Sequence, residues 1–195
     1  MTLAFFILSA LDLLGILDTQ VNAAERQGYI DWIYHCQHPQ GGFRGFTGGD
    51  LGFRDEAGQE DEGKTRTESR RNQWDAANIA GTYFALVNLI LLGDDLDRLD
   101  AGACWRWLKG LQVADGSFGE VVSFEGEILS YGDIRFCYCA MGIRWILHRL
   151  LGNESHKEEM EMDVDVTGVV RFIEASQVCD DILPALLLPV DMANM

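Results

Sequence analysis

One segment pattern occurs three times along this chain of 195 residues, and it constrains the fold more than any other feature. In each copy, apolar residues at helical spacing lead to a glutamine, at Gln37, Gln112 and Gln177. In the first two copies a glycine-rich turn with an aromatic residue follows, at 41–45 and 115–119. The glutamines are 75 and 65 residues apart, which is longer than most solenoid repeats and indicates helix pairs with inserted loops.

Two kinds of helix alternate along the sequence. The segments Leu3–Leu14, Ala76–Leu92 and Ile134–Leu147 are apolar nearly all round, which is typical of helices buried on every side. The repeat helices instead carry charges among their apolar positions. We therefore predict an all-α fold in which buried inner helices alternate with amphipathic outer ones, over residues 1–177. Strand signals are scarce, and Val121–Phe124 with Ile128–Tyr131 form either a small hairpin or a loop.

Composition excludes some functions and marks two irregular segments. The net charge of −16 repels phosphate backbones, so we expect no nucleic-acid partner. Residues 54–73 contain a single apolar residue and are predicted to form an exposed, charged insertion. Residues 178–195 hold Pro184 and Pro189 and are predicted to form an irregular tail.

The cysteines and the apolar first segment of the chain indicate the cellular compartment of the protein. There are five cysteines, an odd number at irregular spacing, and several lie in apolar helical runs. This pattern indicates reduced, buried thiols in a cytoplasmic protein. Residues 1–17 are strongly apolar, but they lack a basic start and Asp12 interrupts them, so we expect a buried helix and no membrane span. Because that helix begins abruptly, we also expect sequence upstream of it.

Six motifs, in this order along the chain, resemble the β subunits of protein prenyltransferases. The resemblance covers roughly residues 2 to 177 and is strongest to geranylgeranyltransferase type I, on the first motif and the pair Arg135-Phe136. The motifs are Thr2-Leu-Ala-Phe-Phe-Ile-Leu-Ser-Ala-Leu-Asp-Leu-Leu14, Gly42-Phe-Arg-Gly45, Ile79-Ala-Gly-Thr-Tyr-Phe-Ala-Leu86, Leu91-Leu-Gly-Asp-Asp-Leu96, Leu111-Gln-Val-Ala-Asp-Gly-Ser-Phe118 and Asp133-Ile-Arg-Phe-Cys-Tyr-Cys-Ala140.

The resemblance implies an α-α barrel (α/α toroid), the fold shared with terpenoid cyclases, with an apolar central cavity for an isoprenoid. It implies that Thr2 stands where farnesyltransferase has a tryptophan that shortens the cavity, and that Arg135 lines the cavity. Asn78 stands where the family usually has histidine, in the pocket for the last residue of the peptide. The isoprenoid- and peptide-binding residues implied in this way are Thr2, Phe6, Asn78, Ala80, Arg135 and Phe136.

The resemblance also implies the chemistry and the partners. Family members transfer geranylgeranyl or a related group from its diphosphate to the cysteine thiol of C-terminal C-a-a-X proteins, together with a helical α subunit. Zinc activates the thiol in the full-length family. No segment of this chain matches the family's zinc ligands, so we expect a C-terminally truncated, incomplete barrel that is inactive alone. Such a barrel leaves an inner face open and exposes its first and last helix pairs.

Other interpretations stay open at this point. The chain is alternatively a non-catalytic fragment that binds the isoprenoid or the α subunit, or a terpenoid-cyclase-like enzyme that uses the acidic segment 94–97. The cyclase interpretation competes with a helix stop and the next N-cap, which the same residues favour. Arg135, in an apolar helix, needs either a ligand or a buried partner. Cys137 with Cys139, and Cys36 with His35 and His38, are predicted to be structural rather than metal-binding.

Overall fold

Helices make up most of the residues that the structure, a computed structural model, describes: 1–46, 76–123, 126–151 and 163–177. The predicted insertion at 54–73 and the predicted tail at 178–195 lie outside these ranges. Two short strands pair antiparallel, so the segment at 121–131 contains the hairpin rather than only a loop. The elements are α1 (Thr2–Leu13), α2 (Leu17–Gln20), α3 (Ala23–His35), α4 (Ile79–Leu91), α5 (Ala101–Gly110), β1 (Val121–Val122), β2 (Ile128–Leu129), α6 (Ile134–Leu151) and α7 (Val166–Ser176).

The three repeat helices, α3, α5 and α7, begin in the same way. Each is preceded by a short polar residue whose side-chain oxygen accepts a hydrogen bond from the backbone N–H three residues later. These caps are Asn22, Asp100 and Asp165, at 3.0, 2.8 and 2.8 Å. Glu25 also accepts from the backbone N–H of Asn22 and completes a capping box. A cap of this kind stabilises a helix by about 1 kcal/mol, so the sequence itself sets where these helices start.

The helices form two layers. The apolar helices α1, α4 and α6 lie side by side, with α4 in the middle. The amphipathic helices pack behind them, α3 against α4 and both α5 and α7 against α6. The core fills the space between the layers, which confirms the predicted double-layered helical array. Among its fully buried side chains are Ile33, Phe43, Leu86, Leu89, Trp105, Phe118, Ile143 and Leu147.

The turns after α3 and α5 are equivalent. In each one the repeat glutamine forms an isolated antiparallel bridge with the aromatic residue of the turn, Gln37 with Phe43 and Gln112 with Phe118. Both phenylalanines are fully buried. The Gln112 side chain then reaches the cap of α7, where its Oε1 accepts from the Asp165 N–H at 2.7 Å and its Nε2 donates to the Asp165 carbonyl at 3.0 Å. The turn of one pair therefore holds the next outer helix.

The glycines of these turns allow very close backbone contact. Gly116 has φ +93°, and a Cβ built on it would lie 2.1 Å from the carbonyl oxygen of Gly168 in α7. Gly41 has φ +106°, and a Cβ there would lie 2.3 Å from the carbonyl oxygen of Ala103 in α5. Since Gly168 and Ala103 are both the third residue of their helices, the same contact recurs in successive repeats. Only glycine combines the positive φ with this space.

The apolar helices differ in burial. The expectation that they are buried on every side fits α4 best and is wrong for α1, in which only Leu8 is buried while Leu3, Phe6, Ile7 and Leu13 are exposed. The reason is that α4 packs extensively against an inner neighbour on both sides, whereas α1 and α6 each pack extensively against α4 alone within the described inner layer. Exposure at the first and last pairs is what an open array predicts. In the described part of the chain, no helix is both long and apolar enough to cross a membrane.

Two ion pairs flank α6 and differ in burial. At its start, Arg135 donates to Asp133 through Nε and Nη2, and the arginine side chain is 83% exposed. Near its end, Arg144 donates from Nε to both carboxylate oxygens of Asp163 at 2.9 and 3.1 Å, and from Nη2 as well. Both side chains of this second pair are half-buried, at 25% and 31% exposure. Burial acts to raise the pKa of Asp163, but Arg144, the Val164 N–H and His148 outweigh it and hold that pKa below its usual value.

The close glycine contact predicts a large effect of one methyl group. Gly116→Ala should destabilise the chain by roughly 3 kcal/mol or more, because a strained φ adds to an overlap with the α7 backbone. Gly126→Ala is the matched control, since Gly126 has φ +85° but open space around it. Gly126→Ala should lower the free energy of unfolding by about 1 kcal/mol, because only the backbone conformation is strained. Urea unfolding measures both, and equal losses would contradict the contact between repeats.

The two ion pairs predict unequal effects of removing a carboxylate charge. Asp163→Asn should lower the free energy of unfolding by about 2 kcal/mol at pH 7, since the half-buried Arg144 keeps its charge without a counterion. Asp133→Asn should change it far less, because that pair is exposed and asparagine can still accept the hydrogen bond that the Arg135 N–H donates to Asp133 at the start of α6.

The pH dependence gives this prediction a second readout. A carboxylate with a lowered folded-state pKa stabilises the chain above its unfolded pKa of about 4. The difference between the parent and Asp163→Asn should therefore shrink as the pH falls below about 4. Urea titrations at pH 7 and pH 3 test this, and a pH-independent difference would rule out the ion pair as its cause.

Candidate functional site

Five aromatic rings form a continuous row across the three inner helices. Phe5 and Phe6 come from α1, Tyr83 and Phe84 from α4, and Tyr138 from α6. The ring centroids are 5.4 Å apart for Phe5 and Phe6, 4.7 Å for Phe5 and Phe84, 5.6 Å for Phe84 and Tyr83, and 5.2 Å for Tyr83 and Tyr138. Each distance lies in the range where aromatic rings attract one another. We call these five residues the aromatic row.

The aromatic row is open to solvent. Phe6 is 61% exposed and Tyr138 is 66% exposed, and the three rings between them are half-buried. Apolar side chains of this size normally turn inward, and a contiguous exposed apolar surface marks a binding site or an interface. The aromatic row therefore forms an apolar surface from which an apolar ligand can displace water.

The polar atoms of the row do not provide a base. The hydroxyl groups of Tyr83 and Tyr138 lie 2.9 Å apart and share a hydrogen bond. Burial of Tyr83, followed by this hydrogen bond, raises the pKa of the Tyr83 hydroxyl well above its usual value. The phenol therefore stays neutral at physiological pH, and the row binds through ring surfaces rather than through charge.

The first turn of α4 is fixed from behind by the turn after α3. The buried Thr82 Oγ1 accepts from the Phe43 N–H at 2.8 Å and donates to the Asn78 carbonyl at 2.9 Å. The Asn78 N–H donates to the Phe43 carbonyl at 3.1 Å. Because Tyr83 and Phe84 directly follow Thr82, these bonds set the position of the middle of the row.

The six residues implied by the family resemblance all lie at the starts of inner helices. Phe6 belongs to the aromatic row. Asn78 caps α4, its Oδ1 accepting from the Gly81 N–H at 2.6 Å, so it has a structural role whatever it binds. The other four lie in first turns: Thr2 exposed in α1, Ala80 half-buried in α4, and Arg135 and Phe136 in α6. Their binding roles stay predictions.

Arg135 does not have the buried partner that its place in an apolar helix suggested. It is the second residue of α6, its side chain is 83% exposed, and it pairs with Asp133. The guanidinium therefore reaches water and needs no buried counterion. An exposed arginine at this end of the inner layer can still meet an anion, because its pair is on the surface and weakly held.

Sequence reasoning missed four residues of the aromatic row: Phe5, Tyr83, Phe84 and Tyr138. A signal was present, since adjacent aromatic pairs occur at equivalent places in the first two apolar helices. Periodicity within one helix could not show that these rings meet, because the contacts join helices that are far apart in the sequence.

The cysteines are structural in this part of the chain. Cys36, Cys104, Cys137 and Cys139 are buried free thiols, as predicted, and Cys179 lies outside the described residues. Burial raises the pKa of Cys104 to about 12 and that of Cys139 to about 11. Thiols with such pKa values stay protonated near neutral pH and are poor nucleophiles and metal ligands.

The described residues do not fit a metal site. No three or more His, Cys, Asp or Glu side chains among them are grouped so that they could hold an ion. The acidic segment after α4 is occupied by its own turn: the Asp94 Oδ1 accepts from the Tyr34 hydroxyl and the Leu96 N–H, and the Asp95 Oδ1 accepts from the Asp97 N–H. With Asp100 capping α5, this confirms the interpretation of the segment as a helix stop and N-cap.

Comparison with known proteins gives a consistent family. A family model described as "Prenyltransferase alpha-alpha toroid domain" matches residues 1–183. The geranylgeranyl transferase type-1 subunits beta of Dictyostelium discoideum and Arabidopsis thaliana are each 30% identical over 75% of this chain, covering 42% and 36% of their own lengths. The protein farnesyltransferase subunit beta of Pyricularia oryzae is 27% identical over 74% of this chain and 22% of its own length. The chain thus spans less than half the length of these curated relatives.

The family match and the structure agree on architecture. The match covers almost the whole chain, and the alternating inner and outer helices are those of an α-α toroid. The chain therefore belongs to the prenyltransferase α-α toroid family and is related to the β subunits of protein prenyltransferases.

Proposed function

We propose that this chain is part of the β subunit of a protein geranylgeranyltransferase type I. The observation that carries the proposal is the aromatic row, an open apolar surface that crosses all three inner helices of a prenyltransferase-type fold. The isoprenoid of geranylgeranyl diphosphate lies along this row, where each buried methylene contributes about 0.8 kcal/mol. The acceptor is the cysteine thiol of a C-terminal C-a-a-X protein, and the partner is an α subunit in the cytoplasm.

The preference for geranylgeranyl over farnesyl rests on Thr2. The family resemblance implies that farnesyltransferase has a tryptophan at this position. The smaller threonine leaves room for one more isoprene unit. Relatives of both specificities match at similar identity, so the family match alone does not separate them. The exposed guanidinium of Arg135, at the start of α6, is the proposed contact near the isoprenoid and the bound peptide.

A second candidate function is binding without transfer. It is favoured because the described residues include the apolar lining but no set of side chains that fits the zinc implied by the family. In this case the chain sequesters a prenyl diphosphate or an α subunit and leaves the thiol unmodified.

Binding and transfer assays on the purified chain test both candidates. A fluorescent prenyl diphosphate should bind, and Phe6→Ala should weaken binding about tenfold, by loss of an aromatic contact worth about 1.4 kcal/mol. Leu13→Ala is the control, since Leu13 is an exposed apolar residue of the same helix outside the row. Equal effects of the two variants would contradict a site on the row.

The transfer assay uses a dansylated C-a-a-L peptide with geranylgeranyl diphosphate, zinc and an α subunit. We expect no product from this chain even in the presence of zinc and the α subunit, because no segment of it matches the zinc ligands of the family. Zinc-dependent product would contradict that expectation and remove the second candidate.

Chain-length selectivity tests the role of Thr2. In a complete β subunit rebuilt around this segment and assayed with its α subunit, Thr2→Trp should shift the ratio of kcat/KM at least tenfold toward farnesyl diphosphate. Loss of burial of five carbons can remove up to about 4 kcal/mol from the longer substrate. Thr2→Val is the control of similar volume and should leave the ratio unchanged. If Thr2→Trp leaves this ratio within about twofold of the parent, the relative transition-state binding of the two diphosphates has changed by less than roughly 0.5 kcal/mol. That result would show that Thr2 does not limit the cavity.

A further inference from the structure

Helix α6 has a glycine in its middle that its own backbone conformation does not require. Gly142 is the ninth of the 18 residues of α6, and its φ is not positive. Glycine is among the least favourable residues for a helix interior, second only to proline. The feature that sets this position apart is its neighbour in α4, because a Cβ on Gly142 would lie 2.4 Å from Cε2 of the Tyr83 ring and 2.9 Å from its Cδ2.

The Tyr83 ring lies across two consecutive turns of α6. Tyr138 is four residues before Gly142, on the same face of the helix, and its hydroxyl lies 2.9 Å from the Tyr83 hydroxyl, with which it shares a hydrogen bond. The two rings meet edge to face with their centroids 5.2 Å apart. The Tyr83 ring is therefore fixed at two points, by close contact with the backbone at Gly142 and by the hydrogen bond to Tyr138.

We propose that Gly142 is a positioning residue of the aromatic row. The space left by its missing side chain sets how closely the Tyr83 ring approaches the backbone of α6, and that approach sets how well the row binds the isoprenoid of a prenyl diphosphate. This inference rests on the proposed function, since it takes the isoprenoid to lie along the row. Gly142 acts through Tyr83, whose ring joins Phe84 of α4 to Tyr138 of α6, and needs no contact with the ligand itself.

A methyl group at position 142 displaces the ring rather than the helices. The atoms that it meets are at the end of the Tyr83 side chain, whereas α4 and α6 pack extensively and Thr82 ties α4 to the turn after α3. To go from 2.4 Å to an ordinary contact of 3.4 Å, the ring has to move by about 1 Å. This movement lengthens the hydrogen bond to Tyr138 and takes the Tyr83 ring out of line with its neighbours in the row.

A double-mutant cycle in ligand binding tests whether Gly142 acts through Tyr83. The probe is geranyl diphosphate that carries an N-methylanthraniloyl group, and its fluorescence anisotropy is followed as the purified chain is added. Gly142→Ala should raise the Kd at least about fivefold in the parent chain, but less than about twofold in a Tyr83→Ala background, where there is no ring to displace. Gly28→Ala is the matched control, since Gly28 lies inside α3 with open space around it, and it should leave the Kd unchanged.

Urea unfolding provides the same cycle without a ligand. Alanine is more favourable than glycine in a helix interior, so Gly28→Ala should raise the midpoint of unfolding, and so should Gly142→Ala in the Tyr83→Ala background. In the parent chain, Gly142→Ala should lower the midpoint, because the displaced ring loses its contacts. If Gly142→Ala unfolds the parent chain, adding Tyr83→Ala should restore the helical signal in far-ultraviolet circular dichroism.

The outcomes separate this proposal from the proposed function. The role of Gly142 is overturned if Gly142→Ala leaves the Kd of the parent unchanged, changes it equally in both backgrounds, or raises the midpoint of the parent. It is also overturned if an unfolded Gly142→Ala variant is not restored by Tyr83→Ala. A parent chain that does not bind the probe would instead contradict the proposed function, and the urea cycle would still show whether Gly142 positions Tyr83.

Discussion

The close contact between a glycine turn and the next outer helix is the constraint on which the rest of the structure depends. At Gly116 and Gly41 the backbone comes so near to Gly168 and Ala103 that not even a methyl group fits. This contact fixes the distance between successive outer helices, and the caps at Asp100 and Asp165 fix where those helices begin. Since each outer helix packs on an inner one, the spacing of the inner layer follows from the same contact.

The aromatic row is a consequence of that spacing. Tyr83 can lie against Gly142 and reach the Tyr138 hydroxyl only because α4 and α6 are held side by side at a short distance. Thr82 ties the first turn of α4 to the turn after α3, so the site and the repeat contacts share a framework. The same framework explains the ligand chemistry, because it leaves ring faces exposed and buries the thiols.

The exposed apolar surfaces of α1 and α6 result from the same side-by-side packing of helices that forms the core. Side chains that are buried in α4 have counterparts in α1 and α6 that are exposed, because those helices have an inner neighbour on one side only. Apolar surface at both ends is therefore built into a repeat whose units bury their faces against each other.

The sequence by itself determined the local structure and the class of fold. Its repeat glutamines, glycine turns and N-cap residues predicted the outer helices, and its uniformly apolar segments predicted the inner layer, because caps and periodicity act over a few residues. The motifs were also sufficient to indicate the family.

Only the tertiary structure decided which surfaces are open and which side chains meet. It placed Arg135 on the surface beside Asp133, left most of α1 exposed, and assembled the aromatic row from three helices. Burial and contact depend on which helices lie side by side, and that arrangement is set by contacts between residues distant in the sequence.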